Sequence, residues 1–188
     1  MNLLPPAPRS HKHARSISCE GYQREDGLWD IEARIVDTKT FSYREAFRGL
    51  REPGEAVHDM ALRLTIDNDM VVRDIEVATL SAPYAPCFAV APAFKELIGK
   101  KIGAGWRHAV QACVGGVKGC THLRELLLPA ATVAFQTLGS WPEDGQPVAP
   151  RAPEDKAERP YFIDGCKAWA ADGEIVAAIY PAFQRKPD

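Results

Sequence analysis

Asp59-Met60-Ala61-Leu62-Arg63-Leu64-Thr65-Ile66 is the stretch whose reading decides the fold class. Met60, Leu62, Leu64 and Ile66 fall at every second position, with Asp59, Ala61, Arg63 and Thr65 between them. Side chains alternate across a strand, so this period of two marks a strand buried on one face only. Asp67-Asn68-Asp69 follows as a turn, and residues 71–79 read as the returning strand. Upstream, Trp29, Ile31, Ala33 and Ile35 alternate in the same way with Asp30, Glu32 and Arg34. Asp26-Gly27 is a turn signal, so residues 17–22 pair with that strand as the other arm of a hairpin. The first eighty residues are therefore expected to form a mostly antiparallel sheet.

Between the two hairpins, residues 37–54 read as a connection. Arg44, Arg48 and Arg51 are spaced like one side of a short helix or basic loop. Downstream of Ser81 the texture changes. Pro83 and Pro86 bracket Tyr84 and lead to Cys87, and Pro92 suits the first turn of a helix over 93–98. A second helix is expected over 102–114 and a third over 121–138. In the third, Leu123, Leu126, Leu127, Ala130, Ala131 and Ala134 keep a helical period, and Pro129 should kink or split it. The proline-rich stretch 139–160 reads as a linker. Asp172-Gly173 between two short apolar segments reads as the turn of a C-terminal hairpin over 161–188, packing on the main domain. Sheet first and helices second make the class α+β: one domain over 1–138, an antiparallel sheet packed by about three helices.

Composition bounds the function classes. A chain of 188 residues can bury one sizeable core, and 46% apolar with 26% charged residues is ordinary for a soluble globular protein. A net charge of −2 gives no support for nucleic acid as a partner. No apolar run is long enough to span a membrane, and the N-terminus does not read as a secretory signal. The five cysteines contain no Cys-x-x-Cys pair, which points to free thiols in a reducing cytoplasm. A small-molecule substrate is the expected partner, and self-association is left open. The chain has no nucleotide-binding motif.

The chemistry is expected around Gly119-Cys120-Thr121-His122-Leu123, which puts a thiol and an imidazole at the start of the third helix. A helix N-terminus lowers a thiol's pKa. Two further segments, His58-Asp59 and the loop ending at Cys87, are expected to converge on it. Cys87, Cys120, Asp59 and His122 would then be a workable tetrahedral set for zinc, or a site for iron. Without a metal, Asp59 or His122 is the candidate base, and Tyr84 or His58 the group that supplies a proton or steadies an oxyanion. Trp29, Arg34 and Trp106 are candidates for binding substrate, although both tryptophans also suit plain core positions. His11 and His13 would share one face of a strand, as a metal pair or as part of a solvated basic segment.

Two resemblances add to this reading. Gly27-Leu28-Trp29-Asp30-Ile31-Glu32-Ala33, Asp37-Thr38-Lys39, His58-Asp59-Met60, Leu64-Thr65-Ile66-Asp67 and Gly119-Cys120-Thr121-His122-Leu123 resemble the motifs of a bacterial family known only as a domain of unknown function. That resemblance implies company with the breakdown of aromatic compounds, including lignin-derived phenolics. More distantly, residues 55–138 are similar to iron–sulfur cluster scaffold proteins of the IscU and NifU type. Asp59, Cys87 and Cys120 match the order of the scaffold's ligands, but Val57 and Gly119 stand where it has a cysteine and a histidine. The resemblance implies a scaffold-like core with one thiolate too few for a cluster. The functional expectation is a cytoplasmic lyase or hydrolase acting on a phenolic or other aromatic compound, by acid–base or metal-assisted chemistry. The alternative is a non-catalytic metal or iron–sulfur carrier.

Overall fold

The computed structural model describes residues 3–138, 159–160 and 162–185. The chain divides into two compact units, Met1–Leu138 and Gly139–Asp188. The first is α+β. Four long strands, β1 (His13–Gln23), β2 (Trp29–Lys39), β5 (Ala56–Ile66) and β6 (Val72–Ser81), form one antiparallel sheet in the order β1-β2-β5-β6. Two short strands, β3 (Tyr43–Glu45) and β4 (Gly49–Arg51), form a separate ribbon. Helices α1 (Ala91–Phe94), α2 (Trp106–Val114) and α3 (Thr121–Leu138) follow.

The alternation that marks the strands also fixes which face is covered. Ile31, Ala33 and Ile35 of β2 and Met60, Leu62, Leu64 and Ile66 of β5 are all buried. They join Leu123, Leu126, Leu127, Ala130 and Ala134 of α3 in one core. Each such leucine or isoleucine contributes roughly 1.5–3 kcal/mol by leaving water. α3 packs across β2, β1 and β5. It runs unbroken through Pro129 rather than splitting there. Close by, the Trp106 indole donates to the Leu127 carbonyl at 3.0 Å.

One contact sets how closely α3 can lie on β1. A Cβ placed on Gly21 would sit 1.9 Å from Thr137 Oγ1 and 2.7 Å from Thr137 Cγ2. Gly21→Ala is expected to destabilise the domain by about 1–3 kcal/mol through overpacking. Adding Thr137→Ala removes the two nearest atoms but keeps Thr137 Cβ at 2.8 Å, so it should recover part of that loss, which a double-mutant cycle in urea measures directly.

The connection over 37–54 is neither helix nor open loop, because its charges satisfy one another across a tight ribbon. Arg48 pairs with Glu45 and reaches the Ser81 hydroxyl at 2.8 Å and the Val57 carbonyl at 3.2 Å. Tyr43 donates to Glu45 at 2.7 Å. The Arg48 guanidinium, against the opposing effect of burial, holds the Glu45 carboxyl down at about 2. A depressed carboxyl favours the fold above its unfolded pKa, and that contribution is lost as pH falls through the folded value. Glu45 is therefore expected to stay ionised to about pH 2 in an NMR titration. Arg48→Ala should return it towards the usual carboxylate range.

Residues 161–188 do not form the expected hairpin among the described residues. Asp172-Gly173 instead leads into a short helix, α4 (Glu174–Ile179), flanked by 3-10 turns at Lys167–Trp169 and Pro181–Phe183. Gly173 has φ −87°, whereas a tight type I′ hairpin turn needs positive φ at both central residues. Val176 and Tyr180 are one helical turn apart and are buried with Ile163 and Ala171, with Trp169 packed against them. Asp164 closes the loop by accepting from the Ala171 backbone N–H at 2.8 Å. The proline-rich stretch 139–158 lies outside the described residues.

Candidate metal centre

The inward-facing row of β2 runs Ile31, Ala33, Ile35 and then Asp37. Strand parity thus places a carboxylate where the apolar stripe would continue, and it is 1% exposed. A buried carboxylate must be paired. The sheet register supplies the partners: Arg15 of β1 lies opposite Asp37 on one side, and His58 of β5 on the other. Arg15 grips both carboxylate oxygens, Nε to Oδ1 at 2.8 Å and Nη2 to Oδ2 at 2.9 Å. Its remaining arm reaches Glu125 of α3 at 2.6 Å. His58 Nδ1 lies 3.0 Å from Asp37 Oδ2. His13, two residues before Arg15 and on the same face, brings Nε2 to 3.2 Å from Oδ1.

α3 completes the group. His122, in its first turn, stacks on His58 with ring centroids 3.7 Å apart and brings Nε2 to 3.7 Å from Asp37 Oδ2. The strands are irregular at this point. The β2–β5 register slips after Asp37, and the β5–β6 register slips beside Asp59. Such bulges re-aim side chains and are common next to active sites.

Among the described residues, the group of three or more histidines, cysteines or carboxylates with ligand atoms all within 4.8 Å is Asp37, His58 and His122. This cluster could hold a metal ion. Ligands about 2.0–2.1 Å from a tetrahedral ion stand roughly 3.3 Å from one another. The separations of 3.0 and 3.7 Å from Asp37 to the two imidazoles bracket that value. The protonation states also suit. Burial pushes the Asp37 carboxyl up, but Arg15 and His58 outweigh it and hold it below the ordinary range. Burial, aided by the neighbouring His122, lowers the pKa of His58 against the pull of Asp37. Burial and then Arg15 lower that of His122, against Asp37 and Glu125. An ionised carboxylate beside two neutral imidazoles is the form in which these groups bind metal.

His58 and His122 therefore meet as expected, and Cys120 flanks them, its Sγ 3.8 Å from His122 Nδ1. Asp59 does not join them. It is adjacent to His58 on the same strand, so the pleat turns it to the opposite face, where Arg34 holds it with bonds of 2.8 and 2.7 Å. Arg34 instead lines an open trough of about 890 Å³ on that outer face, with Ser18, Glu32, Ala61 and Arg63. Cys87 sits in the 3-10 turn Ala85–Ala89, packs against the core, and is not in the ligand group. Tyr84 is exposed and stacks edge-on with Phe47, ring centroids 5.9 Å apart. Trp29 is at the far end of β2, about 26 Å of strand from Asp37, and donates to Asn68 at 2.8 Å. Trp106 is a core residue, 4% exposed. Asp37, Arg15 and His13 complete the centre, and strand parity is the signal that points to them.

No helix among the described residues is long and apolar enough to cross a membrane. No curated protein and no solved structure matches the chain. One family does, over residues 13–136, a span that opens at His13 and contains every residue of the centre. The chain thus belongs to the family described as proteins of unknown function, DUF2889.

Proposed function

We propose that the chain is a small-molecule enzyme of lyase or hydrolase type that works with a zinc or iron ion held by Asp37, His58 and His122. The observation that carries this reading is the gathering of one buried carboxylate and two imidazoles within 4.8 Å. Two nitrogens and one oxygen suit zinc or ferrous iron, and three protein ligands leave a position open for water or substrate. The ion would polarise a substrate oxygen or activate a bound water. Arg15 fixes the carboxylate, and the sheet fixes His58. A phenolic or other aromatic substrate is part of the proposal, supported by the family resemblance in the sequence motifs. Without a metal, the base role moves from Asp59, which is engaged by Arg34, to the Asp37–His58 pair.

That pair supports a second reading, metal-free acid–base catalysis, because the 3.0 Å contact orients His58 as a carboxylate-tuned base. A carrier role rests on the order of Asp59, Cys87 and Cys120, none of which is in the ligand group. The test is metal content of protein purified without added metal, then turnover of a panel of phenolic compounds before and after chelation. Stoichiometric zinc or iron, with turnover lost on chelation and restored on readdition, supports the metalloenzyme. Turnover indifferent to chelation and abolished by His58→Ala supports the metal-free reading. Protein that binds no metal and converts no compound sinks both.

A further inference from the structure

The proposed centre leaves one buried thiol unexplained. Cys120 immediately precedes α3, and its Sγ lies between two groups: Met60 Sδ at 3.7 Å and His122 Nδ1 at 3.8 Å. A thioether sulfur can only accept, so a hydrogen bond between the two sulfurs uses the thiol's single proton. With the thiol proton spent on Met60, the sulfur can meet His122 only as an acceptor, and the hydrogen of that contact would belong to Nδ1. A neutral imidazole has one N–H, so Nε2 is left with its lone pair bare.

The far side of the ring agrees. Asp37 already accepts two hydrogen bonds from Arg15, and His58 Nδ1 and His13 Nε2 crowd its oxygens at 3.0 and 3.2 Å. A carboxylate offers about four acceptor positions, so little remains for a further donor. His122 Nε2 stands 3.7 Å from Asp37 Oδ2, outside hydrogen-bonding distance. An N–H aimed at an ionised, buried carboxylate would be drawn closer. A bare nitrogen facing an oxygen leaves a gap that suits a cation.

We propose that Cys120 is a positioning residue: through the relay His122 Nδ1–H to Cys120 Sγ–H to Met60 Sδ, it fixes His122 in the tautomer that presents Nε2 to the metal. This deepens the metal-centre reading and rests on it for the affinity effect, but the tautomer is a property of the metal-free protein. Metal-binding histidines usually have an outer partner of this kind, most often oxygen, and removing it typically costs 10–100-fold in affinity. Here sulfur takes the place of oxygen.

The experiment has two readouts on the full chain. In metal-free, 15N-labelled protein, imidazole nitrogen shifts report which His122 nitrogen carries the proton. Zinc titration of the same samples reports affinity. The wild type is expected to show the proton on Nδ1. Cys120→Ala should mix the tautomers and weaken zinc by about 10–100-fold. Cys120→Ser, which keeps an atom able to accept and donate, should restore both. Met60→Leu conserves volume but frees the thiol proton to turn towards Nδ1, so it should shift the proton to Nε2 with Cys120 intact. A wild-type proton on Nε2 overturns the proposal, as does Cys120→Ala with tautomer and affinity unchanged. If zinc does not bind at all yet the wild-type proton is on Nδ1 and moves in Met60→Leu, the relay stands and the metal-centre reading fails.

Discussion

His58→Ala, His122→Ala and Asp37→Asn are each expected to weaken zinc or ferrous iron by at least about 100-fold, and to abolish any turnover that depends on the ion. The size follows from ligand count. Losing an outer partner typically costs 10–100-fold, and losing one of three direct ligands leaves too few to hold a tetrahedral or facial site. The three substitutions should act alike on affinity although they come from different elements, β5, α3 and β2. Asp59→Asn should leave affinity unchanged, because Asp59 is on the other face of the sheet with Arg34. Isothermal titration of metal-stripped protein measures all four. An Asp59 effect as large as that of Asp37 would contradict the placement of the centre.

Arg15→Met is expected to destabilise the first unit by about 3 kcal/mol at neutral pH. The side chain of Asp37 is 2% exposed, and Arg15 supplies two of its hydrogen bonds. Removing one member of a buried ion pair costs about 3–5 kcal/mol, mostly as the penalty for the charge left behind. Arg15 keeps part of its surface in water, so the lower end applies. The pH dependence has a definite sign. Asp37 is held below its ordinary pKa in the fold. Its contribution is therefore present above the unfolded carboxylate pKa and is lost as pH falls through the folded value. The gap between wild type and Arg15→Met should be widest near neutrality and close in acid. The double variant Arg15→Met with Asp37→Leu should regain much of the stability, since an apolar pair of similar size is often no worse than a buried ion pair. Urea unfolding at pH 7 and at a series of pH values stepped below about 3.9, the ordinary aspartate pKa, checks both statements. A gap that does not shrink in acid would show that Arg15 contributes through packing, not through Asp37.

The sheet was legible because one face of each long strand is apolar and the other is not. Met60, Leu62 and Leu64 announce their face, and the same parity read backwards places His58 on it and Asp59 off it. Reading His58-Asp59 as a unit obscured this, since neighbours in a strand cannot both serve one site. Asp37 was visible as part of a motif, but its meaning depends on register. Only when β1, β2 and β5 are aligned do Arg15, Asp37 and His58 form a row. Alternation within one strand carries no information about what lies opposite. The third helix was legible for the same reason as the sheet, its apolar period, and its first turn does bring His122 to the cluster. The C-terminal segment misled because Asp-Gly favours a hairpin turn locally. There the i,i+4 spacing of Val176 and Tyr180 and the helix-forming Ala177-Ala178 outweigh the turn signal.

The most direct test of the centre is cobalt(II) titrated into metal-stripped full-length protein, followed by visible absorption. Saturation at one equivalent is expected, with the intense bands of a low-coordinate N/O site, without thiolate charge transfer, and with loss of those bands in His122→Ala. Saturable bands that carry cysteine-to-cobalt charge transfer and vanish in Cys87→Ser instead would place the metal on the thiols and contradict that centre, as would no binding by the wild type.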